Sequence, residues 1–124
     1  MGRDCHHALT RLLGQCSRNT WYTVVVQESQ IQRAILDYLG YRNHFFFRCN
    51  TGAYRTEHGS FIRYGSKGAP DIVVVAKGIM IGIEVKTPKG VLSEEQAAFG
   101  EKLKAAGGIY IVARSIDDVQ ALGL

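Results

Sequence analysis

The stretch Ala69 to Lys86, APDIVVVAKGIMIGIEVK, decides the fold. Apolar residues alternate with others on both sides of Lys77-Gly78, a dipeptide suited to a tight hairpin turn. With those two residues as the loop, Ala76 faces Ile79, and counting back along the ladder sets Asp71 opposite Glu84. Ile72, Val74, Ala76, Ile79, Ile81 and Ile83 then share one fully apolar face. Asp71, Val73, Val75, Met80, Gly82 and Glu84 share the other, and Lys86 joins them by the strand's period of two. Directly opposed side chains of an antiparallel pair lie roughly 5 Å apart, where like charges repel. Two carboxylates so placed ask for a cation. Lys86, about 6.6 Å further along the strand, supplies only part of that charge, and a divalent metal accounts for the rest.

The pattern Pro70-Asp71 followed by Glu84-Val85-Lys86 resembles the signature of the PD-(D/E)xK nuclease superfamily. The string alone is short and built from common residues. It gains weight from the expected geometry, with both acids and the lysine on one face of a hairpin whose other face is core. The competing reading is a salt-bridge cluster on an exposed strand end.

At 124 residues the chain fits one domain with a core of its own. Apolar content of 46% and charged content of 21% suit a globular protein, and the longest apolar run is too short to span a bilayer. Met1 to Arg18 carries His, Asp and Arg where a signal peptide has an apolar centre, so no secretory leader and no membrane partner are expected. Cys5, Cys16 and Cys49 lack a disulfide-framework spacing and read as reduced thiols of a cytoplasmic protein. A net charge of +4 favours a polyanionic partner.

Outside the central hairpin the chain reads as follows. Met1 to Asn19 has no clean period, although Leu9, Leu12 and Leu13 hint at a short helix. The spacing of Cys5-His6-His7 and Cys16 fits no standard zinc site. Trp21 to Gln27 reads as a short strand. Ile31, Ile35, Leu36 and Leu39 recur at helical spacing from Glu28, with Gly40 as the expected stop. His44 to Cys49 predicts a strand. Asn50 to Gly68 predicts a functional loop or a short internal hairpin around Phe61-Ile62, where basic and aromatic side chains alternate between glycines. Ser93-Glu94-Glu95-Gln96 is a capping-box pattern opening a helix that Gly107-Gly108 ends. Ile109 to Ala113 is a short apolar strand expected to lie parallel to Ile79–Lys86, and Ser115 is the expected cap of a last helix holding Val119 and Leu122.

Taken together, these pieces resemble the virus-type replication-repair nuclease (VRR-NUC) domain. The matching residues are Glu28-Ser29-Gln30-Ile31-Gln32, Asn50-Thr51-Gly52, Gly68-Ala69-Pro70-Asp71, Glu84-Val85-Lys86, Leu92-Ser93 with Gln96, and Gly107. They divide the chain into an N-terminal extension, 1–26, and a nuclease domain, 27–124. The resemblance implies an α/β fold, a restriction-endonuclease-like core of α-β-β-β-α-β order with a central mixed sheet flanked by helices. It implies a Mg²⁺- or Mn²⁺-dependent DNA endonuclease of phage or mobile-element type, acting in a bacterial cell or phage-infected host, and a two-fold dimer. Trp21 to Val26 is the candidate subunit contact, because its apolar residues have no assigned core partner.

Under that resemblance Asp71, Glu84, the Val85 carbonyl and Glu28 are the candidate metal ligands, and oxygen donors suit those ions. Asp71, Glu84, Lys86, Glu28 and Gln96 form the candidate catalytic set. Glu28 also has a plain reading as a first-turn acid favoured by the helix dipole, and Gln96 one as the capping-box partner. Arg55, Arg63, Lys67, Tyr54 and Tyr64 are the candidate contacts to duplex or branched DNA. The alternatives are an RNase using the same core and a non-catalytic DNA-binding module on a nuclease fold.

Overall fold

The computed structural model describes residues 14–17, 20–23, 26–49 and 52–124. Strands β1 (Gly14–Ser17) and β2 (Thr20–Thr23) form an antiparallel pair. The expected strand Trp21 to Gln27 is therefore shorter at its far end, and its Val24 and Val25 lie outside the described residues. The leucine pattern of the first residues and the Cys5-His6-His7 group also lie outside them.

Helix α1 (Glu28–Tyr41) follows from its apolar spacing: Ile31, Ile35 and Leu39 recur every fourth residue and are the buried ones. Its end differs from the expectation, because Gly40 is inside the helix. Asn43 takes the left-handed conformation at φ 61°, His44 N–H donates to Leu39 O at 3.1 Å and Asn43 N–H to Gly40 O at 3.0 Å. This pair of bonds is a Schellman ending, which accepts asparagine as well as glycine.

The central sheet has the order β3 (Phe45–Arg48), β6 (Ile72–Ala76), β7 (Ile79–Val85), β8 (Ile109–Ala113). β3, β6 and β7 are antiparallel, and β8 runs parallel to β7, so the sheet is mixed. The β6–β7 register is the one expected from the sequence, from Ala76 opposite Ile79 to Ile72 opposite Ile83. Lys77 at φ 53° and Gly78 at φ 80° make the connecting turn, as a two-residue hairpin loop requires. Between β3 and β6 the chain forms a separate antiparallel hairpin, β4 (Gly52–Arg55) and β5 (Phe61–Tyr64). Its turn is Thr56 to Ser60, so Phe61-Ile62 begins the second strand and is not the bend.

Ile72, Val74, Ile81 and Ile83 form one core with Ile31, Ile35 and Leu39 of α1, and with Val119 of the short helix α3 (Ile116–Gln120). The predicted apolar face is thus the core face, except toward the turn, where Ile79 is 42% exposed. Ser115 precedes α3 without capping it through its side chain, and Leu122 falls beyond the helix. Helix α2 (Glu94–Ala105) covers the opposite sheet face. A β-carbon placed at Gly82 on that face would lie 2.9 Å from Pro70 Cγ and 3.1 Å from Leu103 Cδ2. Leaving out β1, β2, the β4–β5 hairpin and the final helix α3, the order is α1, β3, β6, β7, α2, β8, a restriction-endonuclease-like α-β-β-β-α-β core.

Gly68, at φ +83°, carries the chain past α2 into Pro70-Asp71, and a β-carbon there would overlap the backbone carbonyl of Glu95. Gly78 has nearly the same φ, +80°, with open space around it. Gly78→Ala should cost only the left-handed strain, about 1–2 kcal/mol. Gly68→Ala should cost roughly 1–3 kcal/mol more, because rigid backbone is in the way. Urea denaturation of both variants checks this, and equal destabilisation would contradict the close passage at Gly68.

Candidate functional site

β7 delivers Glu84 to the face under α2, where the residue is 2% exposed and is the one buried charged residue among those described. Asp71 sits at the bend just before β6, one step beyond the Ile72–Ile83 pair. Its Oδ2 accepts a 2.8 Å hydrogen bond from Val85 N–H, which ties the two strand ends together. Burial of Glu84 and then the adjacent negative charge of Asp71 push the Glu84 carboxyl up to about 8. Lys86 opposes that shift from 4.0 Å, and Glu28 adds to it slightly.

Gln96 carries both of its readings at once. Its Oε1 accepts from Ser93 N–H at 2.9 Å, and its own N–H donates to Ser93 Oγ at 3.2 Å, completing the capping box. Its Nε2 meanwhile donates to Glu84 Oε2 at 2.8 Å. The helix start and the acidic site therefore share one side chain, which the spacing alone did not decide.

Lys86 is the other near neighbour, its side chain only 13% exposed and its backbone N–H bonded to Ala113 O at 3.0 Å. Val85 points the other way, its side chain fully buried in the core. Glu28 is exposed at the first position of α1 and is felt at Glu84 through its charge. Among the described residues no three His, Cys, Asp or Glu side chains gather closely enough to hold a metal, so Glu28 stands apart from the Asp71–Glu84 pair.

A hard divalent cation fits the donors present. Glu84 Oε1 is buried with no hydrogen-bond partner, and the paired acids lack a full complement of positive charge. Asp71 and Glu84 are the residues that would hold such an ion. Backbone carbonyl and water oxygens would complete its shell.

The five expected DNA contacts occupy the β4–β5 hairpin and the segment after it. Arg55 and Arg63 both lie over the Phe61 ring, at 5.7 and 5.3 Å from its centre. Tyr54 and Tyr64, with ring centres 6.4 Å apart, occupy the opposite hairpin face by strand alternation. All four are exposed. Lys67 pairs with Glu95 at 3.4 Å, and it lines a surface cavity of about 240 Å³ with Arg63, Tyr64 and Gly68. Arg114 and Tyr110 have no place in the sequence reading. Arg114 Nη1 donates to Thr87 O and Gly90 O, fastening the loop that leaves Lys86. A lone arginine directly after an apolar strand was the only signal for it.

The VRR-NUC domain model matches residues 26–117. No curated protein matches the chain.

The raised carboxyl of Glu84 gives the metal-free protein a specific pH dependence. Folded Glu84 holds its proton up to about pH 8, whereas the unfolded chain releases it near the ordinary value of 4.5. The resulting stabilisation is complete below about pH 4.5 and is lost as pH rises through 8. Denaturation of the metal-free protein across this range should show stability falling, and Glu84→Gln should flatten the fall. Parallel curves for the two proteins would contradict the buried acid pair.

Proposed function

The chain belongs to the VRR-NUC domain family, a family of nucleases, and from that premise we propose that it is a Mg²⁺- or Mn²⁺-dependent endodeoxyribonuclease. The observation that carries this reading is the buried Glu84, set beside Asp71, hydrogen-bonded by Gln96 and faced by Lys86. A structural salt bridge gains little from burying one acid against another, because desolvation and repulsion both oppose it. A site built to receive a cation gains from both.

The residues have separable tasks. Asp71 and Glu84 would hold a divalent ion, which when bound would polarise the scissile phosphate and lower the pKa of the attacking water. Gln96 fixes one oxygen of Glu84, leaving the other free to bind. The Asp71 carboxylate is fixed in turn by Val85 N–H. Lys86, largely enclosed beside Glu84, takes the role of orienting the attacking water and offsetting negative charge that develops on the phosphate in this proposal. Glu28, which stands apart from the pair, would hold an outer water or a second ion in this proposal.

Cleavage of labelled DNA and RNA with Mg²⁺, Mn²⁺ or EDTA tests the assignment. Asp71→Ala and Glu84→Ala should abolish DNA cleavage while the protein stays folded. Lys86→Ala should lower turnover about 10²–10⁴-fold with DNA binding largely kept. Near wild-type cleavage by either acid variant would overturn the proposal, and equal weakening of binding and turnover in Lys86→Ala would make the lysine a plain phosphate contact.

The β4–β5 hairpin is the proposed DNA grip, because it leads through Gly68 directly into Asp71. Its two faces suit two tasks, with Arg55 and Arg63 for phosphates and Tyr54 and Tyr64 for stacking on an unpaired base of branched or frayed DNA. Lys67 adds a charge beside the cavity. Replacing Arg55 and Arg63 together by alanine should weaken binding to duplex DNA. The log–log salt slope should fall by about 0.9 for each phosphate no longer neutralised. An unchanged slope would remove the hairpin from the interface. Light scattering in the same titration tests the proposed two-fold pair, which a monomer cutting both strands would contradict.

A further inference from the structure

Tyr110 is the second residue of β8, beside Gly82 of β7 and on the same sheet face as Glu84. It is 9% exposed, and its hydroxyl is buried with no hydrogen-bond partner. The ring lies against Gly100 of α2, where a β-carbon would come within 2.7 Å of a ring carbon. Gly100 is one helical turn beyond Gln96, so a single face of α2 addresses both Glu84 and Tyr110. Glycine at 100 leaves the tyrosine ring room, and glycine at 82 leaves room for Pro70 and Leu103. Gly82 is two residues before Glu84, about 6.6 Å along β7, within range of a tyrosine side chain and one water.

Two polar atoms of this layer are therefore left without partners, the hydroxyl of Tyr110 and Oε1 of Glu84. An unpaired buried hydroxyl destabilises a fold, and phenylalanine would fill the same space without it. Chain packing alone does not account for the oxygen.

Resting on the metal-dependent reading above, we infer that Tyr110 is a positioning residue of the acidic site, its hydroxyl donating through a buried water to the Glu84 carboxylate and fixing the oxygen that faces the ion. Burial and the charges of Glu84 and then Asp71 push the phenol up to about 12, so it stays a donor wherever DNA is stable. Gln96 then holds one side of the Glu84 carboxylate and Tyr110 the other. Such outer partners typically change metal affinity or activity by about 10–100-fold when removed.

Tyr110→Phe removes the oxygen and keeps the ring. Its metal-free melting temperature should stay close to that of the wild type, since the ring and its packing against Gly100 are kept. Mn²⁺ affinity, measured by calorimetry without DNA, should fall about 10–100-fold, with a matching rise in the Mn²⁺ concentration needed for cleavage. Unchanged Mn²⁺ affinity in Tyr110→Phe, with the wild type binding Mn²⁺ and Glu84→Ala not binding it, overturns this inference and leaves the metal site standing. A fall in affinity confined to Tyr110→Leu, which also removes the ring, does the same by making Tyr110 a packing residue. Absence of Mn²⁺ binding by the wild type overturns both readings.

Discussion

An acid taken out of water next to a second acid is the constraint around which this structure is arranged. Glu84 is almost fully buried and has Asp71 beside it, an arrangement that opposes ionisation twice. The surroundings only partly compensate. Gln96 donates one hydrogen bond, and Lys86 stands at 4.0 Å. The remaining deficit is stored as a carboxyl that holds its proton near neutral pH. A fold kept for stability alone would place an apolar residue at 84, as it does at 81, 83 and 85.

The sheet separates two jobs by its faces. On one, Ile72, Val74, Ile81 and Ile83 pack with α1 and α3, and this core supplies the stability. On the other, Asp71, Gly82 and Glu84 stand among apolar residues, and α2 approaches closely because Gly82 and Gly100 lack side chains. The approach brings the first turn of α2 to the acids, so the capping glutamine becomes a site residue without a separate element to carry it. The core face thus holds rigid what the site face leaves strained, consistent with stability and function being placed on opposite sides of the same hairpin.

Most of this was legible because period and turn chemistry are local. Lys77-Gly78 pins the β6–β7 register, and with a period of two that register alone brings Asp71 and Glu84 together. Ser93 to Gln96 and Gly107-Gly108 likewise announced the ends of α2. What escaped depends on where elements sit in space. Asn43 ends α1 in place of Gly40, because either residue accepts the left-handed conformation and the choice is made by the bonds to Leu39 and Gly40. The placing of Arg55 over the Phe61 ring requires the pairing of β4 with β5, which no short turn signal fixed. Tyr110 reads in the sequence as one more apolar strand residue, and its meaning emerges only when β8 is set beside Gly82 and under Gly100.

The central claim is that the Asp71–Glu84 pair is built to exchange protons for a divalent ion. Its most direct measurement is calorimetric titration of Mn²⁺ into the metal-free protein at pH 7, repeated in buffers of different ionisation enthalpy. With the Glu84 carboxyl near 8, about one proton should be released per ion bound, because the ligand must ionise to coordinate. Release should vanish in Glu84→Gln. Binding with no proton release in the wild type, or no binding at all, would contradict the claim.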